Sequence, residues 1–369
     1  MTSVQLIDLA AQYATLRPAV DEAVTRVLSS AHFIGGREVA EFERAWAAWC
    51  GSDHALGCAN GTDAIELVLD AYGIGPGDEV IVPAMSWIST SEVVATRGAT
   101  PIFVDVDPRS YCLTPEGVAA AITPRTRAVI VVHLYGNVAD APALQTLCAT
   151  HGLPLIEDCA QAHGATFRGR AAGSFGAAAT FSFFPSKSLG AYGDAGAITT
   201  DDADLCDHCH ALAHHGMPGR RHHHILHGRN SRLDALQAAV LNVKLPHLRG
   251  WIERKQQLAD HYRRELAGLP ALTLPWVDPE VGHGYHLFVI RCADRDGLAD
   301  HLAAAGVSTA VHYPTPLPLH ACYADRGLRA ADFPVATELA ATALSLPMYA
   351  ELPQRTVSRI AGLIKAYFA

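Results

Sequence analysis

The sequence has no long apolar run: stretches such as residues 128–132 (AVIVV) fall far short of the ~20 residues needed to span a bilayer. Nothing in its first residues, MTSVQLIDLAAQY, pairs a cationic stretch with an apolar one, so no secretory signal is expected. Charge is sparse at 18% of residues and acidic on balance, with a net charge of −9. That excludes a general nucleic-acid binder, whose affinity comes from surplus Lys and Arg facing phosphates. A small anion can still be held by a few placed cations or by a helix N-terminus. The nine cysteines are odd in number and lack a framework spacing, which predicts reduced thiols in a cytoplasmic protein. No internal repeat occurs, and the one biased tract is a His-rich patch at residues 208–227.

Half of the residues are apolar, enough to drive folding, and 369 residues fit two domains. Residues 78–83 (DEVIVP), 101–106 (PIFVDV), 128–133 (AVIVVH) and 153–158 (LPLIED) are short, rich in β-branched residues and bounded by Gly, Pro or Asp. They predict buried strands, with helical segments such as residues 62–72 between them. This rhythm predicts an α/β fold with a mostly parallel sheet covered by helices. A helical region follows over residues 230–267, in two parts at 232–244 and 251–266. A strand at 285–290, a helix at 296–305 and Pro-rich turns at 314–318 then predict a smaller α+β domain over residues 250–369.

Three segments carry chemistry. Residues 57–62 (GCANGT) lead into the helix that starts near Thr62, and such a turn presents free N–H groups and a positive dipole end. Gly61 and Thr62 there form either a phosphate cup or an ordinary N-cap turn with Thr62 or Asp63 as the cap. Asp158 ends a predicted buried strand, where ligand crevices lie in open α/β sheets. It either faces a protonated pyridine nitrogen or caps the next helix. Lys187 stands alone among aromatic, Ser, Gly and Pro residues in TFSFFPSKSLGAYGDAG. Desolvation there would favour the neutral amine and a Schiff base, whereas an exposed loop lysine is the ordinary alternative. Ser182 is a possible phosphate donor. Cup, strand-end carboxylate and lysine, in that order within one α/β unit, are what pyridoxal 5'-phosphate requires.

The segments CANGTDA, EDCAQAHGA, SFFPSKSLGAYGDAGA, GRNSRLDALQAAVL and VHYPTPLPLH, taken in order, resemble the DegT/DnrJ/EryC1/StrS family of sugar aminotransferases. The likeness runs from FIGGREVAEF (33–42) to LSLPM (344–348). It implies a fold-type I pyridoxal-phosphate transferase: a large domain over residues 1–249 with a mostly parallel seven-stranded sheet, and the smaller domain over 250–369. It also implies roles. Lys187 would anchor the cofactor and shuttle protons, Asp158 would face the ring nitrogen, and Gln161 would lie near the ring hydroxyl. Gly61, Thr62 and Ser182 would hold the phosphate, completed by Asn230 from the second subunit of a homodimer. Trp87 falls where the family places an aromatic over the ring. Arg232, His312 and Tyr313 match positions resembling nucleotide-sugar contacts. Dehydratase relatives carry His in place of the lysine, so Lys187 favours transamination. The reaction implied moves an amino group from glutamate or glutamine to a nucleotide-linked keto-sugar, with a lean to C3 over C4; a keto-cyclitol is the alternative acceptor.

The cationic stretch 219–224 (GRRHHH) faces a diphosphate or a carboxylate, or is a solvated loop. Cys206 and Cys209 with His208, His210, His214 and His215 raise a zinc-site alternative. They fall on one predicted helix before a loop, no second Cys pair follows, and no metal is expected. A regulatory protein would be expected to carry a fused DNA-binding module, for which these residues supply no basic segment.

Overall fold

A computed structural model describes residues 3–219 and 222–369. Two helices, α1 (Leu9–Ser30) and α2 (Arg37–Cys50), precede an alternation of strands and helices. This runs β1 (His54–Cys58), α3 (Gly61–Ala71), β2 (Glu79–Pro83), α4 (Ser89–Thr96), β3 (Thr100–Val104), α5 (Pro115–Ala121), β4 (Thr126–Val132), α6 (Ala141–Thr150) and β5 (Leu155–Asp158). Two-residue strands β6 (Thr166–Phe167) and β7 (Arg170–Ala171) follow, then β8 (Ala178–Ser182), β9 (Gly196–Thr200), α7 (Ala203–Ala213), α8 (Ala235–Lys244) and α9 (Leu248–Leu266). The chain closes with β10 (Val281–Gly282), β11 (Phe288–Arg291), α10 (Arg295–Ala304), α11 (Pro334–Thr342), β12 (Ala343–Leu346) and α12 (Gln354–Tyr367).

Seven strands form one sheet in the order β1-β9-β8-β5-β4-β2-β3. Only β9 runs against the rest, antiparallel to both β1 and β8. An antiparallel return needs no crossover helix. The segment between β8 and β9, residues 183–195, is therefore free to be an irregular loop, and it carries Lys187 beyond the end of β8.

The four predicted strands are present with shifted ends. β5 begins at Leu155 because Pro154 has no N–H to give to the ladder. β3 keeps Pro101 within it, which an edge strand paired only with β2 tolerates. It stops at Val104 because the Asp105 carboxylate turns to cap α11, accepting the N–H groups of Val335 and Ala336 at 2.8 and 2.9 Å. The expected strand at 285–290 begins only at Phe288, since Tyr285 holds a left-handed φ of 43°. Helix α8 starts at Ala235, three residues later than expected, with Asp234 at its N-cap.

A second core gathers Leu258, Tyr262, Phe288, Ile290, Leu344 and Ile360 around the antiparallel pair β11–β12. Helix α9 serves both cores, because Leu248 and Ile252 pack against the sheet while Leu258 and Tyr262 pack into the second core. The boundary expected at 249/250 thus falls inside α9. Among the described residues no helix is long and apolar enough to cross a membrane. All nine cysteines are free. Cys206 and Cys209 lie on α7, and the Cys209 Sγ is buried against the Leu67 carbonyl at 3.8 Å.

Candidate cofactor site

A cavity of about 600 Å³ opens at the end of the sheet where β5 and β8 finish. Gly61, Thr62, Trp87, Asp158, Gln161, Ser182, Lys187, His312 and Tyr313 all line it. Asn230 and Arg232, also expected, do not.

At one end of the cavity α3 begins. Asn60 caps it, its Oδ1 accepting the Asp63 N–H at 2.8 Å while its carbonyl accepts from Ala64. Among the described residues the N–H groups of Gly61 and Thr62 meet no acceptor, so both remain available, at the positive end of the helix dipole. The Thr62 hydroxyl pairs with Ser89 Oγ at 2.7 Å. Glycine is required here by close approach: a Cβ on Gly61 would stand 2.7 Å from that of Ser182. One on Gly196 would stand 2.4 Å from the carbonyl carbon of Asn60. β8 and β9 therefore press directly on the start of α3.

Asp158, only 6% exposed, ends β5 beneath the cavity. Its carboxylate accepts from Thr90 Oγ1 and from the Ala160 N–H, both at 3.1 Å. Burial pushes its pKa up, while the Ala160 N–H and the charge on Lys187 pull it down. Among the described residues it has no salt bridge. A buried carboxylate aimed at a cavity without a cation of its own is suited to a ligand that brings one.

Lys187 is partly accessible along the cavity wall and otherwise enclosed by protein. Burial lowers its amine to about 8, against a smaller opposing pull from Asp158. Its side-chain amine has no hydrogen bond among the described residues, and its lowered pKa leaves a larger share of it as the neutral nucleophile near neutral pH than an ordinary lysine has. Two lysines that the sequence reading missed brace its loop: Lys255 Nζ donates to Ser188 Oγ and Lys244 Nζ to the Gly190 carbonyl, each at 2.7 Å.

Gln161 donates from Nε2 to the Tyr313 hydroxyl at 2.9 Å and accepts the Tyr135 N–H at 2.7 Å. The Tyr313 ring lies 5.8 Å from that of Trp87, which is 59% exposed at the cavity. The ring of His312 meets Ser345 Oγ at 2.8 Å. His286 also lines the cavity, and burial keeps it neutral, with a pKa well below the usual value. Its signal in the sequence was a histidine at the head of an apolar run, which any core histidine shares.

Asn230 is exposed on this chain and bridges to His214. The Arg232 Nε is buried without a partner among the described residues. Between them, Ser231 Oγ accepts the Ala59 N–H at 3.3 Å, which sets this segment beside the phosphate-cup turn but outside the cavity wall. Arg220 and Arg221 lie outside the described residues. Among the described residues the ligating side chains that converge elsewhere are His133, Glu157 and Cys159. There the Glu157 oxygens already accept from Gly173, Phe175, Gly176 and His133, which leaves a metal little to bind.

The donor set fits pyridoxal phosphate. Two free N–H groups suit a phosphate, an unpaired buried carboxylate suits a pyridinium, a depressed lysine suits an aldehyde, and Trp87 offers a ring face. Fold and site together define a fold-type I pyridoxal-phosphate enzyme. The model of the DegT/DnrJ/EryC1/StrS aminotransferase family matches residues 15–365, and the chain belongs to that family. It is 46% identical over 363 residues to the erythromycin biosynthesis sensory transduction protein EryC1 of Saccharopolyspora erythraea, covering 98% of this chain and 99% of that one. It is 44% identical over 364 residues to a UDP-N-acetyl-3-dehydro-alpha-D-glucosamine 3-aminotransferase of Acidithiobacillus ferrooxidans, covering 99% and 98%. Among solved structures, DesV of S. venezuelae in complex with a ketimine intermediate superposes with a TM-score of 0.97. That likeness spans 100% of this chain and 99% of that one, at 42% identity. The chain is a pyridoxal-phosphate-dependent aminotransferase.

Proposed function

We propose that this enzyme moves an amino group from glutamate or glutamine to the C3 ketone of a nucleotide-linked hexose. The observation that carries the chemistry is the pairing, in one cavity, of a lysine amine lowered to about 8 with a buried carboxylate. The lean to C3 is supported by the similarity to the Acidithiobacillus 3-aminotransferase.

When bound, pyridoxal phosphate supplies a carbonyl to carry the amino group and a ring to accept electron density from the substrate carbon. Lys187 Nζ takes the proton from that carbon and returns it on the other side of the transfer, a positioned acid–base task worth about 10²–10⁴-fold. Asp158 holds a proton on the facing ring nitrogen by its negative charge. Gly61, Thr62 and Ser182 bind the phosphate, Trp87 covers the ring face, and Gln161 donates to the ring hydroxyl. Asn230, exposed on its own chain, completes the phosphate site of a second copy, so the working unit is a homodimer. His312, on the cavity wall, contacts the sugar nucleotide, with the Tyr313 hydroxyl engaged by Gln161; Arg232, outside that wall, has no contact in this chain's cavity. Residues 1–249 serve as the cofactor domain and 250–369 as the smaller domain. The nine free thiols support a reducing, cytoplasmic setting.

Purified protein should be yellow, and Lys187→Ala should lose both the colour and turnover. Nucleotide-linked 3-keto and 4-keto hexoses, offered with glutamate and with glutamine, then test the substrate. Turnover of the 4-keto sugars alone would refute the C3 assignment.

A further inference from the structure

Gln161 is held in a single orientation. The buried Tyr135 N–H can only donate, and it takes Gln161 Oε1 at 2.7 Å. Turning the amide over would set two donors against each other inside the protein, so the NH₂ group must face Tyr313 and the cavity. One of its hydrogens goes to the Tyr313 hydroxyl at 2.9 Å. The other is left for the cavity. Tyr135 is itself fixed, with a left-handed φ of 61° and its hydroxyl donating to the His312 carbonyl. The turn after β4 and the 312–313 segment therefore grip Gln161 between them. Burial raises the Tyr313 hydroxyl above its ordinary pKa, so it stays protonated across the working range.

We infer that Tyr313 is a positioning residue: through Gln161 it sets the donor facing the cofactor's ring hydroxyl, and so acts on both halves of the amino exchange. A contact to the sugar would act on one half only. The inference depends on the reading that this cavity binds pyridoxal phosphate with its ring hydroxyl toward Gln161.

Tyr313→Phe removes one hydroxyl and tests it in the holoenzyme. In single turnovers, the amino-donor half and the sugar half should slow by similar factors, about 3–10-fold for one hydrogen bond. The pH midpoint of the holoenzyme's visible absorbance should rise by about half a unit or more, because a slack Gln161 donates less well to the negative ring oxygen. Gln161→Ala should reproduce both effects, and the double variant should be no worse than Gln161→Ala alone. Slowing confined to the sugar half with an unmoved midpoint would overturn the inference, as would strict additivity in the double variant. A wild-type protein that takes up no pyridoxal phosphate would instead remove the proposed function, so the two failures are distinct.

Discussion

Replacing Gly196 by Ala adds one methyl group at the place where β9 meets the phosphate cup. The backbone there lies outside the left-handed region, so the effect is steric rather than conformational. The new Cβ would stand 2.4 Å from both the carbonyl carbon and oxygen of Asn60, and 2.8 Å from the Gly61 nitrogen. Ordinary contact needs ~3.5 Å, so something must move by about 1 Å. β9 cannot yield easily, because Gly196 is paired to Cys58 on one side and to Ser182 on the other. The Asn60–Gly61 turn must move, and with it the free N–H groups of Gly61 and Thr62. Overpacking of this kind costs about 1–3 kcal/mol, and a misplacement of that size weakens a positioned site by up to about 100-fold. Thermal melting of the cofactor-free protein reads the first effect, and absorbance titration with pyridoxal phosphate reads the second. Gly250→Ala is the control: nothing lies within 4 Å of its added Cβ, and in a helix Ala is favoured over Gly by up to ~1 kcal/mol. Wild-type melting and cofactor affinity in Gly196→Ala would refute the argument.

Lys187 should become reactive at lower pH than an ordinary lysine. Uptake of pyridoxal phosphate by cofactor-free protein should accelerate as pH rises through about 8. Asp158→Asn should move that midpoint lower still, since the lost carboxylate no longer favours the ammonium; a midpoint near 10.5 or an upward shift would contradict the cause assigned. If Asn230 serves the neighbouring subunit, mixing inactive Lys187→Ala and Asn230→Ala chains should restore turnover. One site of each mixed dimer then carries neither change. No recovery after exchange of subunits, checked by tagged co-purification, would count against shared sites.

The parts of this protein that the sequence determined alone are the local ones. Residues 79–83, 126–132 and 155–158 form strands because β-branched runs bounded by turn formers suit a buried parallel sheet. A helix begins after Asn60 because that side chain caps it, accepting the Asp63 N–H. Motif order was enough to bring Gly61, Thr62, Asp158, Ser182 and Lys187 to the list that the cavity unites. Other features depend on where distant chain segments meet, and no spacing rule encodes that. The Thr90 support of Asp158 joins residues 68 positions apart, and the Gln161–Tyr313 bond joins residues 152 apart. The braces from Lys244 and Lys255 reach the lysine loop from α8 and α9, though in the sequence both read as ordinary helical lysines. Lys187 shows the division most clearly. Its residue type and neighbours were legible in the chain, whereas its lowered pKa exists only because folding withdraws the amine from water by more than the Asp158 carboxylate across the cavity can offset.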